Sequence, residues 1–285
     1  MAKTEEYITM SNPSVNDVQD FWEANPLWSG ESNHTPGTKP FFEEHRDVYI
    51  SDCFAGQFDP RCVPQEANRE KILDLGCGPG FWTIELWKHG CHNITSADLT
   101  KNALKLTKSR CEIYGVSADV SQQNAENLTF DDGSFTHVNC QGVIHHTPDT
   151  EACVAEIARV LKPGGTASLS VYYKNVFLRN WGILKWAGII LSKLGGGMKG
   201  RGREKIFSTG GAEEIVRLYD GDENPIGKAY SKQQFVEMLS PHFEVQDIYL
   251  HFFPARALPI KTPHVLHRFL DKYTGFMIYA TVKKS

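Results

Sequence analysis

From residue 71 onward, short apolar runs alternate with longer segments whose apolar residues recur every three or four positions. Apolar runs of this length, bounded by turn-forming residues, are typical of buried strands. They predict strands at 71–75, 93–99, 117–123, 136–143 and 166–173. Two later runs, at 244–253 and 276–284, predict two more strands.

The segments between the strands have the period of amphipathic helices. In 150–162, Val154, Ile157, Ala158 and Leu161 share one helical face, and the pattern stops at Pro163. Further helices are expected at 81–90, 100–115 and 231–243, with Thr100 and Ser231 as N-caps and Gly115 as a C-cap. Strands separated by helices of this length predict an α/β fold, with a parallel sheet and helices on both faces.

The overall composition narrows the function classes. The chain has 285 residues, enough for one large domain, and its net charge of -4 gives no support for a nucleic-acid partner. The N-terminus lacks the apolar core of a signal peptide, and no apolar run reaches the ~20 residues of a membrane span, so a cytoplasmic protein is expected. The seven cysteines include no CxxC pair and are expected to be small apolar residues. A thiol or metal pair of Cys53 and Cys62 is the disfavoured alternative, and no metal site is predicted.

The segment KILDLGCGPGFW, residues 71–82, places three glycines directly after the first predicted strand. Glycines there let the main chain approach a ligand, and the following helix offers free N–H groups. The dinucleotide fingerprint G-x-G-x-x-G needs a small third residue, but Phe81 or Thr83 stands at that position. Asp98, at the end of the second predicted strand, suits the two hydroxyls of a ribose. A nucleoside ligand other than a dinucleotide is therefore favoured.

Five motifs in sequence order resemble the class I S-adenosylmethionine-dependent methyltransferases, most closely their ubiquinone-methylase-like, small-molecule branch. The motifs are ILDLGCGPG, ITSADLT, NAENLTFDDGSF, GVIHHTPD and RVLKPGG, and the resemblance covers roughly residues 71–173. It implies a Rossmann-like sheet of seven strands, mostly parallel with the last strand antiparallel. It also implies S-adenosyl-L-methionine as the cofactor and S-adenosyl-L-homocysteine as the product.

The resemblance further implies which residues bind the cofactor. Asp98 matches the carboxylate that binds the ribose, and Leu99 is expected beside the adenine. The first loop is similar to the part that holds the methionine end of the cofactor, and its residues are Asp74, Gly76, Cys77, Gly78 and Gly80.

Two more parts of the cofactor site are implied after the third and fourth strands. Asn124, followed by Ala125 and Glu126, stands where the family usually has Asp beside the adenine amino group. An amide oxygen can still accept that hydrogen bond, so weaker recognition is expected. Gln141 is expected close to the methionine moiety.

The motif GVIHHTPD places His145 and His146 at the mouth of the sheet. The implied reaction is an in-line displacement, in which the protein aligns the reactants and excludes water. A general base is needed only if the acceptor must lose a proton, and either histidine could serve as the catalytic base. The alternative is that one of them merely caps the loop through a backbone hydrogen bond.

Two segments outside the motifs are expected to select the acceptor. Residues 1–70 predict an N-terminal helical cap, and residues 71–285 predict the core, with an inserted helical lid at about 174–230. Aromatic residues of both segments are candidates for the pocket wall, although packing against the sheet is the alternative for each of them. These candidates are Trp22, Trp28, Phe41, Phe42, Tyr49, Tyr219 and Tyr230.

The first part of the stretch 176–205 has apolar residues on nearly every face of a helix, and the second part is rich in glycine and basic residues. No acidic residue occurs between Glu156 and Glu204. Three interpretations are open. A mobile lid over a lipophilic substrate, hinged at residues 195–197, is favoured. The alternatives are an interfacial helix in transient contact with an anionic membrane, and a buried packing helix beside a solvated basic loop.

The sequence therefore predicts methyl transfer to a small, partly apolar metabolite, such as an isoprenoid, quinone, polyketide or lipid intermediate. A regulatory protein that binds the cofactor but has lost catalysis is the alternative from another class, because the motifs report binding alone. A nicotinamide-dependent oxidoreductase is the alternative enzyme, and Phe81 and Thr83 disfavour it.

Overall fold

The computed structural model of the chain describes residues 13–64, 71–197, 201–208 and 211–285. The remaining parts of the predicted cap and lid, at 1–12, 65–70, 198–200 and 209–210, lie outside the described residues. The strands are β1 (Lys71–Leu75), β2 (Asn93–Asp98), β3 (Asp119–Gln122), β4 (Phe135–Gln141), β5 (Leu161–Tyr173), β6 (Ala229–Tyr230), β7 (Phe243–His251) and β8 (Met277–Lys284). The helices are α1 (Val15–Ala24), α2 (Lys39–Phe54), α3 (Phe81–Lys88), α4 (Lys101–Tyr114), α5 (Thr150–Val160), α6 (Val176–Arg179), α7 (Trp181–Lys193), α8 (Ala212–Leu218), α9 (Lys232–Leu239) and α10 (His264–Thr274).

Seven strands form a continuous sheet in the order β3-β2-β1-β4-β5-β8-β7. Strands β1 to β5 are parallel, and β8 pairs antiparallel with both β5 and β7. The predicted fold class is therefore confirmed. The strand order reverses between β1 and β4, and open α/β sheets bind their ligands at the carboxyl ends of the strands beside such a reversal.

The structure adds a strand to the sequence prediction and moves the boundary between α5 and β5. A short eighth strand, β6, pairs with the end of β5 and lies inside the predicted lid. Helix α5 ends at Val160 instead of continuing to Pro163, because a proline disfavours helical backbone at the residue before it. Leu161 is fully buried, as the helical pattern predicts. It is nevertheless the first residue of β5, where it pairs with Phe135.

Apolar side chains pack on both faces of the sheet. On one face, Leu73 and Leu75 of β1 pack with Val154 of α5. On the other face, Ile72 packs with Leu86 of α3. Successive side chains of a strand point to opposite faces, so β1 is buried from both sides and its carboxyl end is held rigidly.

Helices α1 and α2 of the predicted cap lie beside α4. At the end of α1, the Glu23 carboxylate accepts hydrogen bonds from the backbone N–H groups of Lys101 (2.7 Å) and Asn102 (3.2 Å). These groups belong to the first turn of α4, where Thr100 takes the predicted N-cap position but directs its hydroxyl to Asp98. A carboxylate at a helix N-terminus satisfies free N–H groups and interacts favourably with the helix dipole. The cap is therefore held by a charged contact as well as by packing.

A second contact with the cap is the buried guanidinium of Arg110 on α4. It donates hydrogen bonds to the backbone carbonyl of Phe42 in α2 (3.2 Å) and to the backbone carbonyl of Pro79 in the glycine loop (3.3 Å). It also lies 3.1 Å from Nδ1 of His45. Burial lowers the pKa of Arg110 to about 10, so the group is charged at neutral pH. One cation thus joins the cap, α4 and the glycine loop.

The apolar stretch at the start of the predicted lid forms two helices, α6 and α7, which meet at Asn180. Of the residues in α7, Trp181 and Gly188 are buried, whereas Ile183 and Trp186 are exposed. This exposure argues against the interpretation of the stretch as a buried packing helix. Within the described residues, no helix is both long enough and apolar enough to cross a membrane.

Helix α10 packs its polar side chains inward. The Asp271 carboxylate contacts Nδ1 of His251 on β7 (2.6 Å) and accepts a hydrogen bond from the backbone N–H of Phe253 (3.0 Å). The other ring nitrogen of His251 lies 2.8 Å from Asp59. Burial acts to lower the pKa of His251, but the hydrogen bonds with Asp271 and Asp59 outweigh it and hold that pKa above its ordinary value. His267 also turns inward and contacts the Phe253 carbonyl (3.1 Å). Polar contacts therefore fix α10 to the core.

We expect the substitution Arg110→Met to lower the free energy of unfolding by about 2–4 kcal/mol, because it removes two buried hydrogen bonds from a charged donor. Chemical denaturation measures the change. The matched control is Arg46→Met, which also removes a contact between α2 and the core. Arg46 is partly exposed and Glu85 keeps its bond to Lys88, so we expect a loss below about 1 kcal/mol. Equal stability of Arg110→Met and the natural chain would show that Arg110 does not hold the cap.

Candidate functional site

A cavity of about 240 Å³ opens at the carboxyl edge of the sheet, where β1, β2, β4 and β5 end. The loops that follow these strands supply part of its lining, including Gly76, Gly78, Asp98 and Gln141. Residues of α1, α2 and the predicted lid supply the rest. The cavity therefore lies where the sheet topology leads one to expect a ligand.

The glycine loop is bound to the end of β2. The N–H groups of Gly76 and Cys77 both donate to the carbonyl of Ala97, at 2.7 and 2.9 Å. Gly76 has a φ of 74°, and a Cβ at this position would overlap the side chain of Val143. Only glycine satisfies both conditions, so the loop brings its backbone to the edge of the cavity.

Asp98 ends β2 and lines the cavity. One carboxylate oxygen accepts a hydrogen bond from the backbone N–H of Gly78 (3.0 Å). The other accepts from the backbone N–H (2.9 Å) and the hydroxyl (2.8 Å) of Thr100. Burial raises the pKa of Asp98, while the hydrogen bonds from Thr100 and Gly78 oppose the rise. The carboxylate is thus held in one orientation, as a charged acceptor for ligand hydroxyls needs to be.

A chain of buried polar groups connects Asp74 with Gln141. The Asp74 carboxylate accepts from the Thr83 hydroxyl (2.7 Å) and from the Asn139 amide (2.9 Å). Burial raises the pKa of Asp74 to about 6, and these hydrogen bonds oppose the rise. The Asn139 oxygen in turn accepts from the Gln141 amide (3.2 Å). Asp74 therefore does not reach the cavity itself but helps to orient Gln141, which does.

The amide oxygen of Gln141 is buried and has no hydrogen-bond partner among the described residues. A buried acceptor without a partner costs about 1–3 kcal/mol, so a donor from a ligand is expected to meet it. An ammonium group, such as the one on the methionine moiety of S-adenosylmethionine, would satisfy this oxygen.

The turn after β3 contributes Asn124, Ala125 and Glu126 to the cavity lining. The Asn124 side-chain oxygen accepts a hydrogen bond from the backbone N–H of Glu126 (3.0 Å), which fixes the turn and leaves that oxygen a second lone pair. The Glu126 carboxylate accepts from the backbone N–H of Asp149, at 2.7 Å. Leu99 and Ala103 supply apolar surface in the same cavity, as a planar base needs.

Ion pairs join three segments around the rest of the cavity. The Glu31 carboxylate of the cap lies 3.4 Å from Arg203 of the predicted lid and 3.0 Å from Arg256, which follows β7. Arg256 also lies 3.0 Å from Asp52 of α2. All four side chains line the cavity, together with the aromatic residues Trp22, Trp28, Tyr49, Tyr172 and Tyr219. This part of the cavity thus combines aromatic surface with charges that are already paired.

His145 and His146 both line the cavity, but their surroundings differ. Burial lowers the pKa of His145 well below its ordinary value, so this side chain stays neutral. Nδ1 of His146 lies 2.7 Å from the carbonyl of Ile226, which can only accept, so Nδ1 is the donor in this contact. Nε2 faces the Asp220 carboxylate at 3.4 Å, and the same oxygen accepts from the Tyr172 hydroxyl at 2.7 Å. His146 is therefore the better placed base of the two.

Most of the site residues predicted from the sequence meet in this cavity. Those that line it are Gly76, Gly78, Asp98, Leu99, Asn124, Ala125, Glu126, Gln141, His145, His146, Trp22, Trp28, Tyr49 and Tyr219. Asp74, Cys77 and Gly80 do not line it. Asp74 contacts Asn139, the Cys77 thiol lies 3.5 Å from the Thr107 hydroxyl, and Gly80 precedes α3.

Three aromatic residues that were candidates for the pocket wall lie elsewhere. Phe41 and Phe42 pack with Trp28 in a small core between the cap and α4. The Tyr230 hydroxyl donates a hydrogen bond to the Thr150 hydroxyl (3.0 Å), and the Tyr230 side chain packs against the main core. The alternative interpretation, that such aromatics pack the added segments onto the sheet, applies to these three.

Sequence reasoning missed several residues of the cavity. Tyr172 stands at the carboxyl end of a predicted strand, so the rule for ligand sites in parallel sheets could have identified it. Asp220 lies in the segment RLYDGDENP, whose composition indicates only a turn. Arg203 and Arg256 carry no local pattern, because their partner Glu31 lies far away in the sequence.

Comparison with known proteins agrees with this geometry. Residues 73–169 match the family described as "Methyltransferase domain", which covers the region from β1 into β5. Among curated proteins, the ubiquinone biosynthesis O-methyltransferase of Coxiella burnetii is 30% identical over 104 residues, which are 36% of this chain and 44% of that protein. The chain therefore matches less than half the length of this relative.

Solved structures share the fold at low sequence identity. An S-adenosylmethionine-dependent methyltransferase from Methanosarcina mazei is 20% identical, with a TM-score of 0.52, over 76% of this chain and 93% of that one. The cyclase SpnF is 14% identical, with a TM-score of 0.55, over 95% of this chain and 96% of that one. Residues 73–169 therefore match a methyltransferase domain, on a fold shared with solved S-adenosylmethionine-dependent methyltransferases. The orientation of Asp98 and the unpaired Gln141 oxygen fit the cofactor of this class.

We expect Asp98→Asn to weaken the binding of S-adenosylhomocysteine at least about tenfold, because a hydrogen bond to a charged group is worth about 1.5–3 kcal/mol. Calorimetric titration measures the affinity. Asp119→Asn, an exposed carboxylate at the start of β3, is the matched control and should bind as the natural chain does. Equal affinity of the Asp98 variant and the natural chain would remove Asp98 from the ligand site.

Proposed function

We propose that this chain transfers a methyl group from S-adenosylmethionine to a small, partly apolar molecule whose nucleophilic atom gives up a proton. The observation that carries the proposal is one cavity that joins Asp98 and Gln141, at the strand ends, to the His146–Asp220 pair inside an aromatic wall. S-adenosylmethionine supplies a methyl group on a positively charged sulfur, which a nucleophile can displace in line.

The strand-end part of the cavity would hold the cofactor. The Asp98 carboxylate would accept hydrogen bonds from the ribose hydroxyls, and the free oxygen of Gln141 would accept one from the methionine ammonium. The turn at 124–126 would border the base, beside the apolar surface of Leu99. The backbone at Gly78 would approach the ligand closely, since no side chain stands there.

His146 would serve as the general base. As the nucleophile bonds to the methyl carbon, the carbon–sulfur bond breaks, its electron pair stays on sulfur, and the nucleophile's proton passes to Nε2 of His146. Asp220, at 3.4 Å from Nε2, would stabilise the imidazolium that results. The Ile226 carbonyl holds the ring in the orientation that directs Nε2 toward Asp220.

The part of the cavity lined by aromatic residues and by the ion pairs of Glu31 would be the acceptor end. Its lining favours an aromatic or otherwise unsaturated hydroxyl compound. The ring of Trp22 lies 5.3 Å from the ring of His146, so an acceptor that reaches Nε2 would also contact the indole. Arg203 and Arg256 are paired with carboxylates, which leaves them poorly suited to bind an anionic acceptor. The Coxiella relative is named for O-methylation in ubiquinone biosynthesis, which supports testing quinol-like and isoprenoid acceptors first.

A protein that binds the cofactor without transferring its methyl group is the second candidate. SpnF shares the fold and is named as a cyclase, so the fold alone does not establish the reaction. The His146–Asp220 pair favours catalysis, because a binding protein has no need for a base beside the ligand.

Parallel calorimetric titrations with S-adenosylmethionine, S-adenosylhomocysteine and NADH test the cofactor. We expect binding of the two sulfur nucleosides alone. Incubation with methyl-labelled S-adenosylmethionine and a panel of lipophilic phenols and quinols, read by mass spectrometry, then tests the transfer. Binding without transfer to any acceptor would favour the binding protein, and binding of NADH would overturn the proposal.

With an acceptor in hand, we expect His146→Gln to lower kcat by about 10²–10⁴-fold, the usual contribution of a general base, while S-adenosylhomocysteine still binds. Asp220→Asn should lower kcat less, because it removes only the charge that stabilises the imidazolium. Asp222→Asn, an exposed carboxylate in the same loop, is the matched control. An unchanged kcat in His146→Gln would mean that the acceptor needs no base or uses another one.

A further inference from the structure

Helix α10 and helix α7 expose large apolar side chains outside the cavity. On α10, Leu266, Phe269 and Tyr273 share one helical face, and Phe269 is 59% exposed. On α7, Ile183 and Trp186 are 73% and 63% exposed, and Ile190 continues the same face. Single exposed apolar residues need no explanation, but two helical faces made of them do.

The orientation of α10 is the reverse of an ordinary surface helix. Its buried residues are His267 and Asp271, four positions apart, and its apolar stripe faces solvent. A helix on a soluble core normally buries the apolar stripe and exposes the polar one. The ion pair of Asp271 with His251 fixes α10 in this orientation. The outward apolar face is therefore built into the fold.

The two helical segments are joined at both ends. The Asn175 amide, just before α6, donates to the carbonyl of Thr274 at the end of α10 (3.0 Å). Gly197, after α7, donates its N–H to the carbonyl of Ala257, ahead of α10 (2.8 Å). The two segments are thus joined near their ends, and we call the exposed residues of both helices together the α7–α10 surface.

The exposed charges of the α7–α10 surface are all basic. Arg179 and Lys193 flank α7, and Lys261, Arg268 and Lys272 accompany α10. Within the described parts of 175–197 and 257–276, Asp271 is the one acidic residue, and it is buried against His251. Apolar and aromatic residues ringed by lysine and arginine are typical of helices that lie at the interface of an anionic bilayer.

We propose that the α7–α10 surface binds the headgroup region of a membrane that contains anionic lipids. The apolar side chains would enter the boundary between headgroups and acyl chains, and the basic side chains would contact lipid phosphates. A second copy of the chain is a poor occupant, because a symmetric contact would bring two sets of cations together. The surface lies outside the cavity, so the proposal stands whether or not the chain transfers methyl groups.

Sedimentation of the full chain with vesicles tests the proposal. We expect binding to vesicles of equal parts phosphatidylcholine and phosphatidylglycerol, at least about tenfold weaker binding to phosphatidylcholine alone, and loss of binding at high salt. Sedimentation equilibrium of the chain without lipid is the parallel measurement. No binding to the anionic vesicles would overturn the proposal, and so would a dimer that Phe269→Ser dissociates in the absence of any lipid binding.

Paired substitutions locate the binding surface. Leu266→Ser with Phe269→Ser, and separately Ile183→Ser with Trp186→Ser, should each weaken vesicle binding at least about tenfold. All four side chains are exposed, so the variants should keep the thermal unfolding of the natural chain. Ile113→Ser on α4, an apolar side chain that is 40% exposed, is the matched control and should bind normally.

A charge reversal tests the basic residues in the same way. Arg268→Glu with Lys272→Glu should weaken binding to the anionic vesicles at least about tenfold. Lys105→Glu with Lys108→Glu, on the exposed face of α4, changes the net charge equally and should have a much smaller effect. Equal losses in the two double variants would show an effect of net charge alone and overturn the assignment to this surface.

Discussion

The geometry of the cavity depends on one buried cation. The Arg110 guanidinium holds the Phe42 carbonyl of the cap and the Pro79 carbonyl of the glycine loop, and it lies 5.1 Å from the centre of the Phe42 ring. Its partners are carbonyls, a ring nitrogen and aromatic faces, so its charge is stabilised by dipoles and π electrons. The glycine loop and helix α2 are thereby held in a fixed relation, as the proposed reaction, which depends on alignment, needs.

The two ends of the cavity have different origins. The end proposed for the cofactor consists of strand ends and the buried chain from Asp74 through Asn139 to Gln141, all within the sheet. The end proposed for the acceptor is assembled from the cap, the predicted lid and the turn after β7, which meet at Glu31. The first arrangement is rigid because β1 is buried on both faces, whereas the second can vary without disturbing the sheet. Such a division lets one fold serve many acceptors.

The sequence predicts the sheet well, because its strands follow from local patterns. Apolar runs locate the strands, and a parallel sheet brings their carboxyl ends together, so Asp98 and Gln141 meet in the cavity. The pair of His146 and Asp220 is not predictable in this way, since its members come from distant segments without a shared pattern. Helix α10 is not among the elements predicted from the sequence, and the spacing of its apolar residues does not show which side they face. That side is decided by His251 on β7, which offers a partner to Asp271.

The way the cavity is closed affects how molecules can enter it. The cap, the predicted lid and the turn after β7 are joined at Glu31 by ion pairs with Arg203 and Arg256. An apolar cluster that includes Phe54 and Ile206 also joins them. Separating ion pairs lets water solvate the freed charges, whereas separating apolar faces exposes surface that water solvates poorly. The apolar cluster, more than the ion pairs, therefore sets the cost of opening the cavity on this side.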